Sequence, residues 1–423
     1  MKNIFIKAMA GLMLTVSATS CGDKFLDTKI YNGIDLDTGL NSVNNIGSAL
    51  NGCYDRLYRY YFAGNYATMI GDIGSDISYW NGNTGHFNSI YQFNYMPTDT
   101  YLTYIWSYGY KVVDNSSRVI KACNELSGSN LSSSEKEELD LYKAEALSLR
   151  AYATLTMTNV FGHQIKVAGQ DFSSSLGVVV VDEPIQAYAE VKRATVGECY
   201  AAVVKDLTDA IALYNSVGDR QDLFVFGKAA ACGLLARAYT YMENWSGARQ
   251  AAADAIAESG ITTLTYSPTA YKALFNGGAS NNESMFALAI TAANNWSANS
   301  CGTLFTTYSF SPSPYLLSLY GENDCRRSII SYTAKEDGLP WYNGGKFGAY
   351  ASGNPANATN YLVNAPEMFL IEAEAYLNEG KIADAQKALF VVAHRNPDIA
   401  AATDLPSDAA GLKKFLQEER ARE

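Results

Sequence analysis

Charge is scarce in this chain of 423 residues: only 18% are Asp, Glu, Lys or Arg, and three are histidine. So few imidazoles leave little material for a histidine-centred active site or metal site. His86 stands in a Gly/Asn loop, His163 beside Gly162 and His394 near a helix end, and none has a second histidine or a carboxylate at metal-ligand spacing. The seven cysteines include no CxxC pair, and neither a phosphate-cradling glycine loop nor a nucleophile elbow occurs. Asp72 and Asp76 imitate a glycosidase pair, but their neighbours Gly71, Gly74 and Ser75 suit turn and capping roles instead. A catalytic reading therefore has no centre to rest on, and glycoside hydrolysis ranks last among the functions weighed. No cofactor is implied, and the sequence does not speak to bound calcium.

Long apolar runs are missing too. After residues 1–20 no stretch approaches the 18 continuous apolar residues of a spanning helix. Residues 1–20 themselves read as an export signal: Lys2 and Lys7, an apolar run from Ala8 to Val16, then Ser17, Ala18, Thr19 and Ser20 directly before Cys21. Small residues before a cysteine match a bacterial lipoprotein box, so Cys21 is expected to become the acylated first residue of a tethered, otherwise soluble body. Losing residues 1–20, which contain no acid, takes the net charge from −11 to −13. Phosphate backbones and anionic surfaces would be repelled, which argues against a nucleic-acid partner. Of the other cysteines, Cys199 and Cys232 fall in Ala-rich helical patterns and read as buried thiols. Cys301 and Cys325 lie in loop-rich sequence and are the one disulfide pair expected.

What the chain has in quantity is aromatic and small residues: 30 Tyr, five Trp and 33 Gly within a 48% apolar composition. That is enough to bury a large core and still leave a surface rich in rings and amides, as in a binding protein. Asn41 to Tyr60 reads as a first helix, with Val43, Ile46, Leu50, Tyr54 and Leu57 on one face. Thr98 to Leu126 is a long aromatic helix carrying Tyr101, Tyr104, Ile105, Tyr108 and Val112. Ser134 with Glu137, and Thr195 with Glu198, are expected to form the capping boxes that open two more helices. Lys228–Ala257 and Pro366–Arg395 each read as a helical hairpin, and they align in register: Ala236 with Ala373, Ala238 with Ala375, Tyr239 with Tyr376, Ala248 with Ala385. Small residues at those points let helices approach closely. One hairpin cannot bury its own apolar face, so several must stack. Residues 76–97 and roughly 268–366 lack this periodicity and read as irregular loops with short strands, such as one alternating through Tyr91, Phe93 and Tyr95.

Five stretches give the chain a family resemblance: CGDKFLDT from Cys21, AEALSLRAYATLTMTNVFG from Ala144, the hairpin from Lys228, PEMFLIEAEAYLNEGK from Pro366, and the terminal FLQEERARE. Together they resemble the SusD/RagB family of outer-membrane nutrient-binding lipoproteins. Two places depart from that pattern. Phe161 and Gly162 lead into His163, Gln164 and Ile165 rather than a Pro-containing turn, and the chain stops at Glu423 inside the family's last helix, as a truncated product or record would. The resemblance implies a mainly α fold, a tetratricopeptide-like scaffold of helical hairpins (an α/α superhelix) whose irregular loops and short strands form a binding face. It divides the chain into a signal (1–20), an N-terminal region (21–220) containing the aromatic loop 76–97, and a C-terminal region (221–423) containing the hairpins 228–257 and 366–395. It further implies a lipid anchor in the outer membrane, exposure on the cell exterior, and delivery of oligosaccharide or polysaccharide to a TonB-dependent, SusC-like transporter. A helical-repeat scaffold for a peptide or protein is the alternative.

A sugar offers C–H groups on its ring faces and hydroxyls at its edges, so it is best met by exposed aromatic rings with amides beside them, on loops held by a rigid frame. YWNGNTGHF, from Tyr79 to Phe87, has that make-up, with Trp80 as platform and Asn81 and Asn83 as amides. In the resembled family an aromatic followed three positions later by Asn contributes to the glycan site, a spacing that Trp80 and Asn83 fit. Trp296 (NNWSAN) and the Trp341, Tyr342, Asn343 triplet are expected opposite them.

Overall fold

The computed structural model describes residues 39–167, 169–186, 188–331 and 343–423. The first expected helix forms as α1, Val43–Tyr58, with the Ser42 hydroxyl accepting from the Asn45 amide and Val43, Ile46, Leu50 and Leu57 buried. After the short α2 (Tyr66–Ile73) come α3 (Thr100–Ser127), α4 (Ser133–Phe161) and α5 (Val196–Val217), then α6 (Lys228–Tyr241), α7 (Trp245–Ser259), α8 (Ala365–Asn378), α9 (Ile382–Ala393) and α10 (Ala409–Arg422). Each long helix packs on the next: α1 on α3, α3 on α4, α4 on α5, α5 on α6, α6 on α7, α7 on α8, α8 on α9. Residues 42–423 form one compact unit on this series.

Helix α4 is its axis. Its first turns are amphipathic, but from Ala144 to Leu155 every side chain is buried, because Ala, Ser and Thr let neighbours close in from all sides. Gly109 of α3 shows how tight this is: a Cβ there would stand 2.4 Å from the Met157 Sδ. Polar groups buried in such a place must find partners. Arg150 makes two 2.7 Å hydrogen bonds to the Asp206 carboxylate of α5 and donates to Ser117 Oγ and to the Val181 and Asp182 carbonyls, which joins three helices and a loop.

The hairpins α6–α7 and α8–α9 stack through α7 against α8, with Ala236, Ala238, Ala248, Ala373, Ala375 and Ala385 all buried. Tyr239 and Tyr376 are half-buried beside them. Among the described residues the strands form four separate antiparallel pairs, two of them only two residues long; the longer pairs are β1 (Ser78–Trp80) with β3 (Phe310–Pro312), and β2 (Ser284–Leu288) with β4 (Asn360–Asn364), which runs directly into α8. A Cβ on Gly233 of α6 would stand 2.7 Å from Val363 of β4, so the small residue sets how close this pair lies to the helices.

Three expectations are corrected. The capping box of α4 is Ser132 with Glu135, not Ser134 with Glu137. Three serines in a row offer alternatives, and the most N-terminal one with an acid three residues on claims the end. Tyr91, Phe93 and Tyr95 do not form a strand: Asn88–Tyr91 is a helical turn and Phe93 has φ of 54°. The strand partner in this region, Phe310–Pro312, is already paired with Ser78–Trp80, and an alternating run without a partner has no ladder to join. Cys301 and Cys325 are separate buried thiols, not a disulfide. The Cys301 thiol donates to the Gly64 carbonyl and takes a contact from Asn360, while the Cys325 thiol points to the Thr265 carbonyl. Burial pushes both thiols up to about 12. Cys199 and Cys232 are buried free thiols as expected.

Candidate functional site

The site is built around the corner that follows α1. Backbone bonds from the Phe62 and Gly64 amides to the Arg59 carbonyl, and from the Tyr66 amide to the Tyr60 carbonyl, close a tight turn. Only glycine fits at position 64, because a Cβ would lie 2.3 Å from the Tyr58 carbonyl oxygen. The turn buries Phe62 and leaves Tyr58, Tyr60 and Tyr61 half-buried at the surface.

This corner clamps the segment containing Trp296. Asn65 donates to the Asn299 carbonyl at 2.6 Å, and the Tyr58 hydroxyl donates to the Asn294 carbonyl at 2.6 Å. The buried Asn360 of β4 donates to the Ala63 and Gly64 carbonyls at 3.0 and 2.9 Å. Trp296 gives its indole N–H to the Tyr58 carbonyl at 3.1 Å, and its ring centroid lies 4.7 Å from that of Tyr58. The Arg59 guanidinium sits 5.5 Å from the Trp296 ring while bonded to Asp55 at 2.7 Å.

The predicted loop 80–87 lies along the other side of the same segment. Trp80 is paired with Phe310 across the β1–β3 ladder, and its N–H donates to the Thr84 carbonyl at 2.9 Å. The Asn81 amide N–H donates to the Ser309 carbonyl, and Thr84 Oγ1 bonds to Ser309 Oγ. His86 lies edge-on to Tyr308, with centroids 4.6 Å apart, and burial lowers its proton affinity. The two Asn side chains differ in role. Asn81 accepts from the Asn83 backbone at 2.8 Å and so shapes the loop, with its own Nδ2 buried and unpartnered, whereas the Asn83 side chain is exposed. Trp80 and Trp296 are each half-buried, with N–H groups committed to carbonyls, so what they can offer a ligand is ring surface.

The structure thus ties the α1 corner and the Trp80 loop to one stretch of chain, residues 294–310, which contains Trp296. Trp341, Tyr342 and Cys21 lie outside the described residues. Asn343 is placed only by its backbone, which pairs with Ser331. The two loops are unusual in their neutrality, although Arg59 and Asp55 adjoin Trp296. From Ile77 to Thr98 the sole ionisable acid or base is His86, and from Ser284 to Gly321 there is no Asp, Glu, Lys, Arg or His. A separate recess of about 840 Å³ is walled by α2, α4 and α6, with Asp72, Phe93, Tyr95, Asn159, Arg237 and Tyr241 among its lining residues. Phe93 is 69% exposed at its edge.

Sequence reasoning missed Tyr58, Tyr60 and Tyr61 as surface rings and placed Tyr104 and Tyr108 on a long aromatic helix without assigning them to a site. The available signal was the run Tyr58, Arg59, Tyr60, Tyr61. Rings on successive residues cannot all face one core. Among the described residues no group of three or more His, Cys, Asp or Glu could hold a metal ion, and no helix is long and apolar enough to cross a membrane.

Residues 24–240 match a family model, SusD-like, described as starch-binding and associating with the outer membrane. Among solved structures, a SusD superfamily protein from Bacteroides thetaiotaomicron is 24% identical with a TM-score of 0.79, over 90% of this chain and 86% of that one. A SusD superfamily protein from Bacteroides vulgatus is 21% identical with a TM-score of 0.79, over 90% and 86%. A SusD-like carbohydrate binding protein from the same species is 18% identical with a TM-score of 0.74, over 90% and 80%. No curated protein matches the chain.

Proposed function

The chain belongs to the SusD-like family, whose members are described as starch-binding and associating with the outer membrane, and from that premise we propose that it is a cell-surface glycan-binding lipoprotein. It captures oligosaccharides at the Trp80–Trp296 rim and passes them to a TonB-dependent transporter, binding without turnover. The observation that carries this reading is the composition of the two loops: half-buried rings and neutral amides, with no Asp, Glu, Lys or Arg in 77–98 or 284–321 and the adjoining Arg59 committed to Asp55. Ring faces cover sugar C–H groups, and amides answer hydroxyls. The loops themselves offer a polyanion no Arg or Lys, and a peptide's charged termini and side chains would find few partners on them. The similar carbohydrate-binding protein from Bacteroides vulgatus supports the same ligand class. Trp341 and Tyr342 extend the set of proposed contacts, and Cys21 is the proposed anchor.

A glycan array followed by affinity electrophoresis on the hits tests the reading. Saturable binding of a polysaccharide with no release of reducing sugar is expected. Binding of peptides alone would replace the reading with the scaffold alternative, and sugar release would replace it with an enzyme. Membrane retention of a Cys21→Ala variant would count against the anchor.

A further inference from the structure

The rings at the α1 corner do not stop at Trp296. Its centroid is 5.7 Å from Tyr60, Tyr60 is 3.9 Å from Tyr61, and Tyr61 is 4.2 Å from Tyr104, nearly parallel to it, and 4.6 Å from Tyr108. Lys111 closes the row with its ammonium 3.8 Å from the Tyr108 ring. All five rings are half-buried. Helix α3 divides its labour here: Ile105, Gly109 and Val112 are buried against the core, while Tyr104, Tyr108 and Lys111, at a spacing of four and three, sit on the outer flank. Among the described residues the hydroxyls of Tyr104 and Tyr108 have no hydrogen-bond partner. Core packing does not require rings on that flank, and a solvated helix face is ordinarily charged.

Building on the glycan reading above, we propose that Tyr60, Tyr61, Tyr104 and Tyr108 form a track that continues the binding rim from Trp296 along α3, so that several successive sugar units of a polysaccharide are held at once. Continuity with Trp296 gives the direction. The unbonded Tyr104 and Tyr108 hydroxyls supply donors along it, and exposed ring edges and faces cover apolar sugar surface. The protein should then prefer chains over short oligosaccharides.

The test uses soluble starch, xylan, mannan and a β-glucan in affinity electrophoresis, then calorimetry with purified oligosaccharides of increasing length cut from the polymer retained most. For the parent, affinity should climb with chain length. In the double variant Tyr61→Ala, Tyr104→Ala, binding of the shortest ligand should persist while the gain with length disappears, roughly a tenfold loss on the longest chain. Tyr108→Ser, at the end of the row, serves if the double variant does not fold, and should lose part of the gain. Parent-like affinity of these variants for the long chain overturns the track, and so does equal loss on short and long ligands. If the parent binds none of the four polymers, the glycan reading falls, and the track with it. If the parent binds and its length dependence survives the variants, the track alone falls.

Discussion

Replacing Trp80 separates the two things its ring does. In the structure Trp80 is a strand residue opposite Phe310, a neighbour of Tyr91 at 6.4 Å, and the donor of a 2.9 Å bond that closes the loop onto Thr84. Trp80→Ala removes both ring and bond. The lost hydrogen bond costs about 1 kcal/mol, and with the half-buried ring the total cost in stability should reach about 1–3 kcal/mol. If the exposed part of the ring is a central sugar contact, binding should weaken by about 1–3 kcal/mol as well, which is roughly 5- to 150-fold in Kd. Trp80→Phe keeps a ring but not the N–H. It should lose about 1 kcal/mol of stability and retain most of the affinity. Calorimetry against the best array hit, with thermal unfolding of each variant in parallel, distinguishes the two roles. Parent-like affinity in a folded Trp80→Ala variant would remove the ring from the site. Affinity in Trp80→Phe as poor as in Trp80→Ala would show that loop closure, not stacking, is what matters.

Arg150→Met strands the Asp206 carboxylate in the core and should cost about 3–5 kcal/mol in urea unfolding. The double variant Arg150→Met, Asp206→Leu should recover much of it, and no recovery would contradict a simple buried pair. Ala238→Leu or Ala375→Leu should overpack the hairpin contacts and cost about 1–3 kcal/mol, and unchanged melting of both would undo the stacking argument. Glu145 is buried, accepts from the Tyr54 hydroxyl at 2.7 Å and meets Arg220 at 2.7 Å, yet burial pushes its carboxyl up to about 7. The folded state therefore holds this proton more tightly than the unfolded state, so the parent loses stability as pH rises from about 4.5 to about 7, by up to about 3 kcal/mol. Glu145→Gln should lack that decline in urea unfolding at pH 5 and pH 8, and a gap between the two proteins that does not change with pH would refute it.

The helices were legible in the sequence because their signal is local. The spacing of Val43, Ile46, Leu50 and Leu57, the box of Thr195 with Glu198, and the paired alanines of two hairpins each report a structure completed within a few turns. The hydrogen-bonded clamp was not legible, since Asn65, Asn360 and Cys301 are far apart in sequence and meet only when β4 passes beneath the corner. The Trp80 loop could be singled out by composition, but not that Asn81 would turn inward to accept from Asn83. Tyr104 and Tyr108 stayed ambiguous for a different reason. Tyrosine suits a buried stripe and a wet surface equally well, so periodicity placed them on a helix face without saying which side of that face would be covered.

A neutral loop raises a problem of its own, because rings and amides without charge have little to fix them in place. The chain answers it at the two ends of its uncharged segment, Ser284–Gly321. At the near end the buried Glu283 is bonded to Arg395 at 2.6 Å, and Arg395 also holds the Thr265 carbonyl at 2.8 Å. Just past the far end Asp324 binds Arg326 at 2.8 Å, and Arg326 binds Glu419 of α10 at 2.7 Å. Both brackets reach the helical frame, one just past α9 and the other on α10. Between them Asn65 holds the middle through the Asn299 carbonyl, while Asn360 pins the corner that carries Asn65 through the Ala63 and Gly64 carbonyls. Ion pairs buried this deeply contribute little net stability compared with apolar packing of the same volume, but they strongly oppose any arrangement that leaves one partner unpaired. Their value here is positional. Charge is withheld from the loop itself and placed at its ends, where it fixes a set of uncharged groups that, on the proposed reading, must already be in register when a sugar arrives.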